Sequence, residues 1–132
     1  MRRHAVRFLT VSACLAALAA CATAPKTISE DLTPRELFQR AQEAVVERSD
    51  YATALVYYQT FLDRYPDDLQ RGVEAEYEIA FIHYKLRNTE LATQQFEQLL
   101  QRYKAEGAEV LPRWPKALAE KLLGKIKAEA AG

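Results

Sequence analysis

Two stretches of the chain repeat each other. YATALVYYQTFLDRYP at 51–66 aligns with TELATQQFEQLLQRYK at 89–104, placing Ala54 over Ala92, Tyr58 over Phe96, Phe61 over Leu99 and Tyr65 over Tyr103 at an offset of 38 residues. A period of this size marks stacked units, each too small to bury its own apolar face and dependent on a neighbour to cover it. The fold is therefore constrained to an array.

The unit is helical. Thr33-Pro34-Arg35-Glu36 forms a capping box: threonine accepts from the backbone, proline sits where its missing N–H is harmless, and glutamate three residues on reaches back. The helix it opens runs to about Arg48, with Leu37, Phe38, Ala41, Ala44 and Val45 on one face. Asp50 caps a second helix carrying Tyr51, Ala54, Leu55, Tyr58, Phe61, Leu62 and Tyr65, which Pro66 stops. A third runs from about Arg71 to Leu86, with Ile79, Ala80, Ile82, His83 and Leu86 apolar-facing. Asn88 caps a fourth bearing Leu91, Ala92, Phe96, Leu99, Leu100 and Tyr103. Ala41 and Ala80 correspond at an offset of 39, so the repeating unit is a helical hairpin.

Small residues at Ala41, Ala54, Ala80 and Ala92 let helix backbones approach, and Tyr58 and Phe96 fill the space beside them. This pattern resembles the tetratricopeptide repeat, and the resemblance implies an all-α superhelix of two hairpins over residues 33–104. The spacing from Ala80 to Ala92 is the twelve residues of that pattern; Ala41 to Ala54 is thirteen, which places one extra residue in the loop near Ser49. Pro66 stands at the terminal proline, Lys104 replaces it in the second copy, and His83 stands where the pattern has tyrosine. About three repeats are normally needed to close a core. The segment PRWPKALAEKLLGKI supplies the missing surface: after a loop from residue 105, a capping helix starts at Pro115, just after Trp114, with Leu118, Leu122, Leu123 and Ile126 as its stripe.

The first residues carry an address. A basic opening, MRRHAVR, precedes the apolar FLTVSACLAALAA, the layout of a secretory signal peptide too short to span a bilayer comfortably. Leu18, Ala19, Ala20 and Cys21 resemble the lipobox of bacterial lipoproteins, which implies cleavage of residues 1–20 and acylation of the Cys21 thiol. The alternative at Val11-Ser12-Ala13-Cys14 leaves an apolar region below the usual length. Residues 21–32 then read as a lipidated tether. Ala22, at the second mature position, is not acidic, which by the sorting rule of such lipoproteins implies the periplasmic face of the outer membrane.

Removing residues 1–20 takes away Arg2, Arg3 and Arg7, leaving 15 basic against 18 acidic side chains and a net charge of about −3. That balance excludes the basic footprint of a nucleic-acid binder. With Cys14 removed and Cys21 acylated, no thiol is left for a disulfide or a nucleophile. His83 is the single mature histidine and reads as a core residue of a repeat helix. Asp67-Asp68 lies in a turn with no companion ligands, Glu74, Glu76 and Glu78 read as a solvated helix surface, and the four glycines form no phosphate loop. The expectation is a non-enzyme with no cofactor or metal beyond the lipid on Cys21.

What is left is a surface. In tetratricopeptide arrays the first helix of each hairpin lines a concave groove, and the resemblance carries that role to Phe38, Gln42, Tyr77, Phe81, Tyr84 and Lys85. Four aromatic rings there favour an extended apolar or aromatic peptide, although Phe81 and Tyr84 read equally well as core beneath the neighbouring hairpin. SDYATALVYYQTFLDRYPDD and EAEYEIAFIHYKLRNTELATQQFEQLLQRY, behind a lipobox, are similar to the BamD (YfiO-type) lipoproteins of outer-membrane β-barrel assembly. That family, usually of about five repeats, implies a scaffold touching a barrel-assembly subunit and incoming barrel proteins. The other readings are an accessory lipoprotein of a pilus, division or transport system, and a tether for a peptidoglycan hydrolase.

Overall fold

The computed structural model describes residues 27–132, so Cys21 and the segment around it lie outside the described residues. Five α-helices follow in order: α1 Pro34–Arg48, α2 Tyr51–Arg64, α3 Leu69–Lys85, α4 Thr89–Arg102 and α5 Arg113–Ala131, with a short 3₁₀ turn Ala108–Val110 before the last. No strand occurs among the described residues. α1 pairs with α2 and α3 with α4, α3 also packs on α2, and α5 closes over α3 and α4. The chain is a tetratricopeptide-like array of two hairpins with a fifth helix stacked on the second.

The capping box at Thr33 is formed in full. Thr33 N–H donates to Glu36 Oε2 at 2.9 Å and Glu36 N–H donates to Thr33 Oγ1 at 3.3 Å. These bonds from Thr33 hold the Glu36 carboxyl below its ordinary pKa. Asp50 Oδ1 caps α2 by accepting from Thr53 N–H at 3.1 Å. α3 begins two residues before Arg71 because Asp68 is its cap, Oδ1 accepting from Arg71 N–H at 3.1 Å, so one member of the Asp67-Asp68 turn has a local backbone role. Asn88 occupies the cap of α4 but its side chain bonds nothing there. α5 starts at Arg113, with Pro115 buried in the first turn, where the backbone N–H has no helical partner to lose.

The unequal alanine spacing has a different origin from the one expected. The first inter-helix connection is shorter than the second: Ser49 and Asp50 against Leu86, Arg87 and Asn88. The surplus is taken up by α1, which runs seven residues past Ala41, whereas α3 runs five past Ala80. Both connections turn through a left-handed residue that is not glycine, Ser49 at φ 52° and Arg87 at φ 65°.

Two core clusters result. The first holds Leu37, Ala41, Ala44, Ala54, Tyr58, Phe61, Ala75, Ile79 and Ile82; the second holds Val73, Tyr77, Ala80, Ala92, Phe96, Leu99, Leu111, Ala119 and Leu123. α3 feeds both, turning alternate faces to each hairpin. Three leucines expected in apolar stripes face solvent instead: Leu86, Leu91 and Leu118 are 43, 40 and 39 % exposed. The helices seat on narrower rows, Ala92-Phe96-Leu99 in α4 and Pro115-Ala119-Leu123-Ile126 in α5, because small residues let the backbones close on one edge of each stripe.

Residues 28–32, read as part of a tether, lie against the domain. Arg64 donates from Nη1 to Ser29 O at 2.8 Å and from Nη2 to Ile28 O at 2.9 Å, while Tyr65 Oη donates to Leu32 O at 3.2 Å. Ile28 and Leu32 pack on the first core. The aligned Tyr103 makes the equivalent use of its hydroxyl on the other side of the array, donating to Pro112 O at 2.8 Å and fastening the loop that leads into α5.

Candidate functional site

The first helix of each hairpin presents a face that its own partner helix leaves open. Between α1 and α3 that face forms an open hollow of about 450 Å³ lined by Arg35, Phe38, Gln39, Gln42, Arg71 and Glu74. Phe38 is half-buried: its ring meets Tyr58 and Phe61 edge-on, with centroids 5.4 and 4.8 Å away, leaving one side to the hollow. Gln42, one helical turn on, is exposed. Arg71 is partly engaged by Asp68 at 2.7 Å yet half exposed, which leaves donors open to solvent.

α5 reaches the edge of the hollow through Glu74. Trp114 Nε1 donates to Glu74 Oε1 at 3.2 Å, and the indole packs edge-on against Tyr77 at 5.2 Å. Further along, Lys125 Nζ sits 5.7 Å above the Tyr84 ring. Glu78 stands one turn after Glu74; burial, and then the charge of Glu74, raise its pKa, and its own charge reaches Tyr58 and Tyr77. Burial before all else pushes the Tyr77 hydroxyl up to about 12. Among the described residues no cation pairs with Glu78.

The six groove residues expected from sequence separate into three groups. Phe38 and Gln42 line the hollow. Tyr77 does not: at 6 % exposure it is core, stacked at 6.0 Å on Phe81 and covered by Phe96 and Trp114. Phe81 and Tyr84 are half-buried against the second core, and Lys85 is exposed at the end of α3. The correction has one cause. α5 docks where the first helix of a next hairpin would lie, and covers the α3 aromatics that would otherwise face outward.

Arg35, Gln39, Arg71 and Glu74 line the hollow without being among the groove residues expected from sequence, and Trp114 joins them through Glu74. A helix starting at Pro115 leaves Trp114 outside its stripe and gives it no face toward α3, and a helix starting at Arg71 leaves the Asp68 cap unassigned. The three glutamates of α3 also do more than solvate a surface. Glu74 accepts from Trp114, Glu76 is ion-paired with Arg102 across to α4, and Glu78 is half-buried. Among the described residues no three potential metal ligands come together, and no helix is long and apolar enough to cross a membrane.

Residues 37–68 and 74–105 each match the tetratricopeptide repeat, one match per hairpin. The chain is also 36 % identical over 97 residues to an uncharacterized protein of Treponema pallidum (strain Nichols). The alignment covers 72 % of the chain and 38 % of that relative, so the chain spans well under half the relative's length. No solved structure matches the chain. Repeats of this type are protein-interaction scaffolds, and the helices, their paired packing and the two matched stretches agree: the chain carries two tetratricopeptide repeats, α1–α2 and α3–α4.

Proposed function

We propose that the protein is a lipid-anchored adaptor of the bacterial envelope that holds an extended segment of a partner protein in the groove between α1 and α3. The hollow lined by Phe38, Gln42, Arg71 and Glu74 carries this reading, because it opens on the helix faces that tetratricopeptide repeats leave free for partners. One aromatic ring on the floor, two guanidinium groups and two glutamine amides around it suit a chain with an apolar side chain and acidic or main-chain acceptors beside it. The Leu18-Ala19-Ala20-Cys21 lipobox supports attachment of an acyl chain at Cys21 and a place at the periplasmic face of the outer membrane. The repeat type and that address together favour a role in barrel-protein assembly.

The test places a photo-crosslinking residue at Gln42, which is exposed in the hollow, in the native host. A barrel-assembly subunit or nascent barrel protein in the crosslinked membrane fraction is the expected result. Reproducible capture of a pilus, division, transport or wall-hydrolase component keeps the adaptor and retires barrel assembly. Absence of any crosslink overturns the groove. Cys21→Ala, followed by fractionation, is expected to release the protein from the membrane.

A further inference from the structure

A second recessed surface lies on the other side of α3. Glu76, Ile79 and His83 stand about half a turn around that helix from Glu74, Phe81 and Lys85, so they face away from the groove. α2 and α4 flank them with little direct contact, and the space between is a trough of two adjoining hollows, of about 200 and 430 Å³, which share Gln59, Ile79 and Gln95.

Two polar atoms of this trough are not satisfied by the fold. His83 Nδ1 and Gln95 Oε1 are both buried and neither has a hydrogen-bond partner. Native structures hold few such atoms without a reason. Burial holds His83 below its ordinary pKa, so at neutral pH the ring is an uncharged imidazole whose Nδ1 donates or accepts according to tautomer. Gln59 has its amide N–H on Asp63 at 3.0 Å, which leaves its oxygen as an acceptor, and Gln98 lines the far end.

The composition selects the occupant. Arg102 is the only cation lining the trough and is already paired with Glu76, so an anion finds no free positive charge. No Phe, Tyr or Trp ring lines either hollow, so a sugar ring has no broad apolar face to stack on. Gln59 and Gln95 each leave an amide oxygen as acceptor and His83 Nδ1 donates or accepts by tautomer, a set matched by a main chain, whose N–H and C=O groups recur every ~3.3 Å in an extended strand. From Glu76 to His83 the floor runs about 10 Å along the helix axis, the reach of three extended residues.

We infer that the trough between α2 and α4 is a binding site for an uncharged, extended peptide segment, read through its main-chain amides by Gln95, Gln59 and His83. It is separate from the α1–α3 groove and leaves one domain able to hold two segments on opposite sides.

The test uses the full chain, purified in detergent and labelled for NMR, with N-acetyl-trialanine amide at millimolar concentration as the probe. The expected result is perturbation of the Gln95 and Gln59 side-chain amide signals and the His83 ring, weakened about tenfold by Gln95→Ala and unchanged by Gln42→Ala. An analogue with an ester in place of the central amide should bind about tenfold more weakly to the unaltered protein, which decides the matter even if the Gln95 variant folds poorly. Perturbation confined to α1 and the groove face of α3, equal binding of the ester, a response to N-acetylglucosamine instead, or no response at all overturns the proposal.

Discussion

Trp114 donates its indole N–H to Glu74 at 3.2 Å while its ring rests edge-on against Tyr77, so one side chain of α5 both fixes a carboxylate at the edge of the groove and covers the second core. At 39 % exposure it contributes less than a fully buried tryptophan, whose loss costs 3–5 kcal/mol; Trp114→Ala should cost about 2 kcal/mol. Trp114→Phe, which keeps the ring and loses the N–H, should cost about 1 kcal/mol. Trp114 is the only tryptophan, so its emission reports the docking of α5 without labels, and a urea titration followed by fluorescence and by circular dichroism checks both values.

Phe61 and Phe96 occupy equivalent depths in the two hairpins, each fully buried. Either one changed to alanine should cost about 3–5 kcal/mol, a large part of the ~5–16 kcal/mol expected for a domain of this size. Because Ala75, Ile79 and Ile82 of α3 serve one core while Val73, Tyr77 and Ala80 serve the other, both variants should still melt in a single transition. Two separated transitions in calorimetry would refute the sharing.

Two positions carry the wrong residue for their backbone. Gly124 lies inside α5 with open space where a Cβ would go, and Gly124→Ala should stabilise by about 0.5–1 kcal/mol. Arg87 holds φ 65° in the turn before α4, where glycine is unstrained, and Arg87→Gly should stabilise by about 0.5–1 kcal/mol. The sites are independent, so thermal melts of the double variant should show the two gains adding.

Glu78 gives the fold a pH dependence. Burial and the neighbouring Glu74 raise its pKa above that of the unfolded chain, so the folded state binds the proton more tightly. Its contribution is greatest below the ordinary carboxylate range and is lost as pH rises through the raised pKa. Glu78→Gln should therefore be more stable than the parent at pH 8, with the difference vanishing near pH 4. Denaturant melts at the two pH values decide it; an equal difference at both would assign the effect to packing.

The repeat made the helices, their pairing and the small-residue contacts legible, since Ala54 and Ala92 or Tyr58 and Phe96 declare themselves by periodicity alone. The groove was less so. Periodicity shows that Tyr77 faces sideways from α3, but only the path of the loop through Gly107 and Pro112, fixed by Tyr103, brings α5 back to cover it. The trough was not legible at all, because Gln59 and Gln95 look like surface amides until α3 is seen to floor the space between them.

Arg64 and Tyr65 grip the backbone of residues 28–32. With an acyl chain at Cys21, as proposed, seven residue steps separate Cys21 from Ile28, a reach of at most ~25 Å. On the proposed anchor, so short a mooring would keep the domain at the membrane surface, where partners would be presented by the bilayer rather than gathered from a distance.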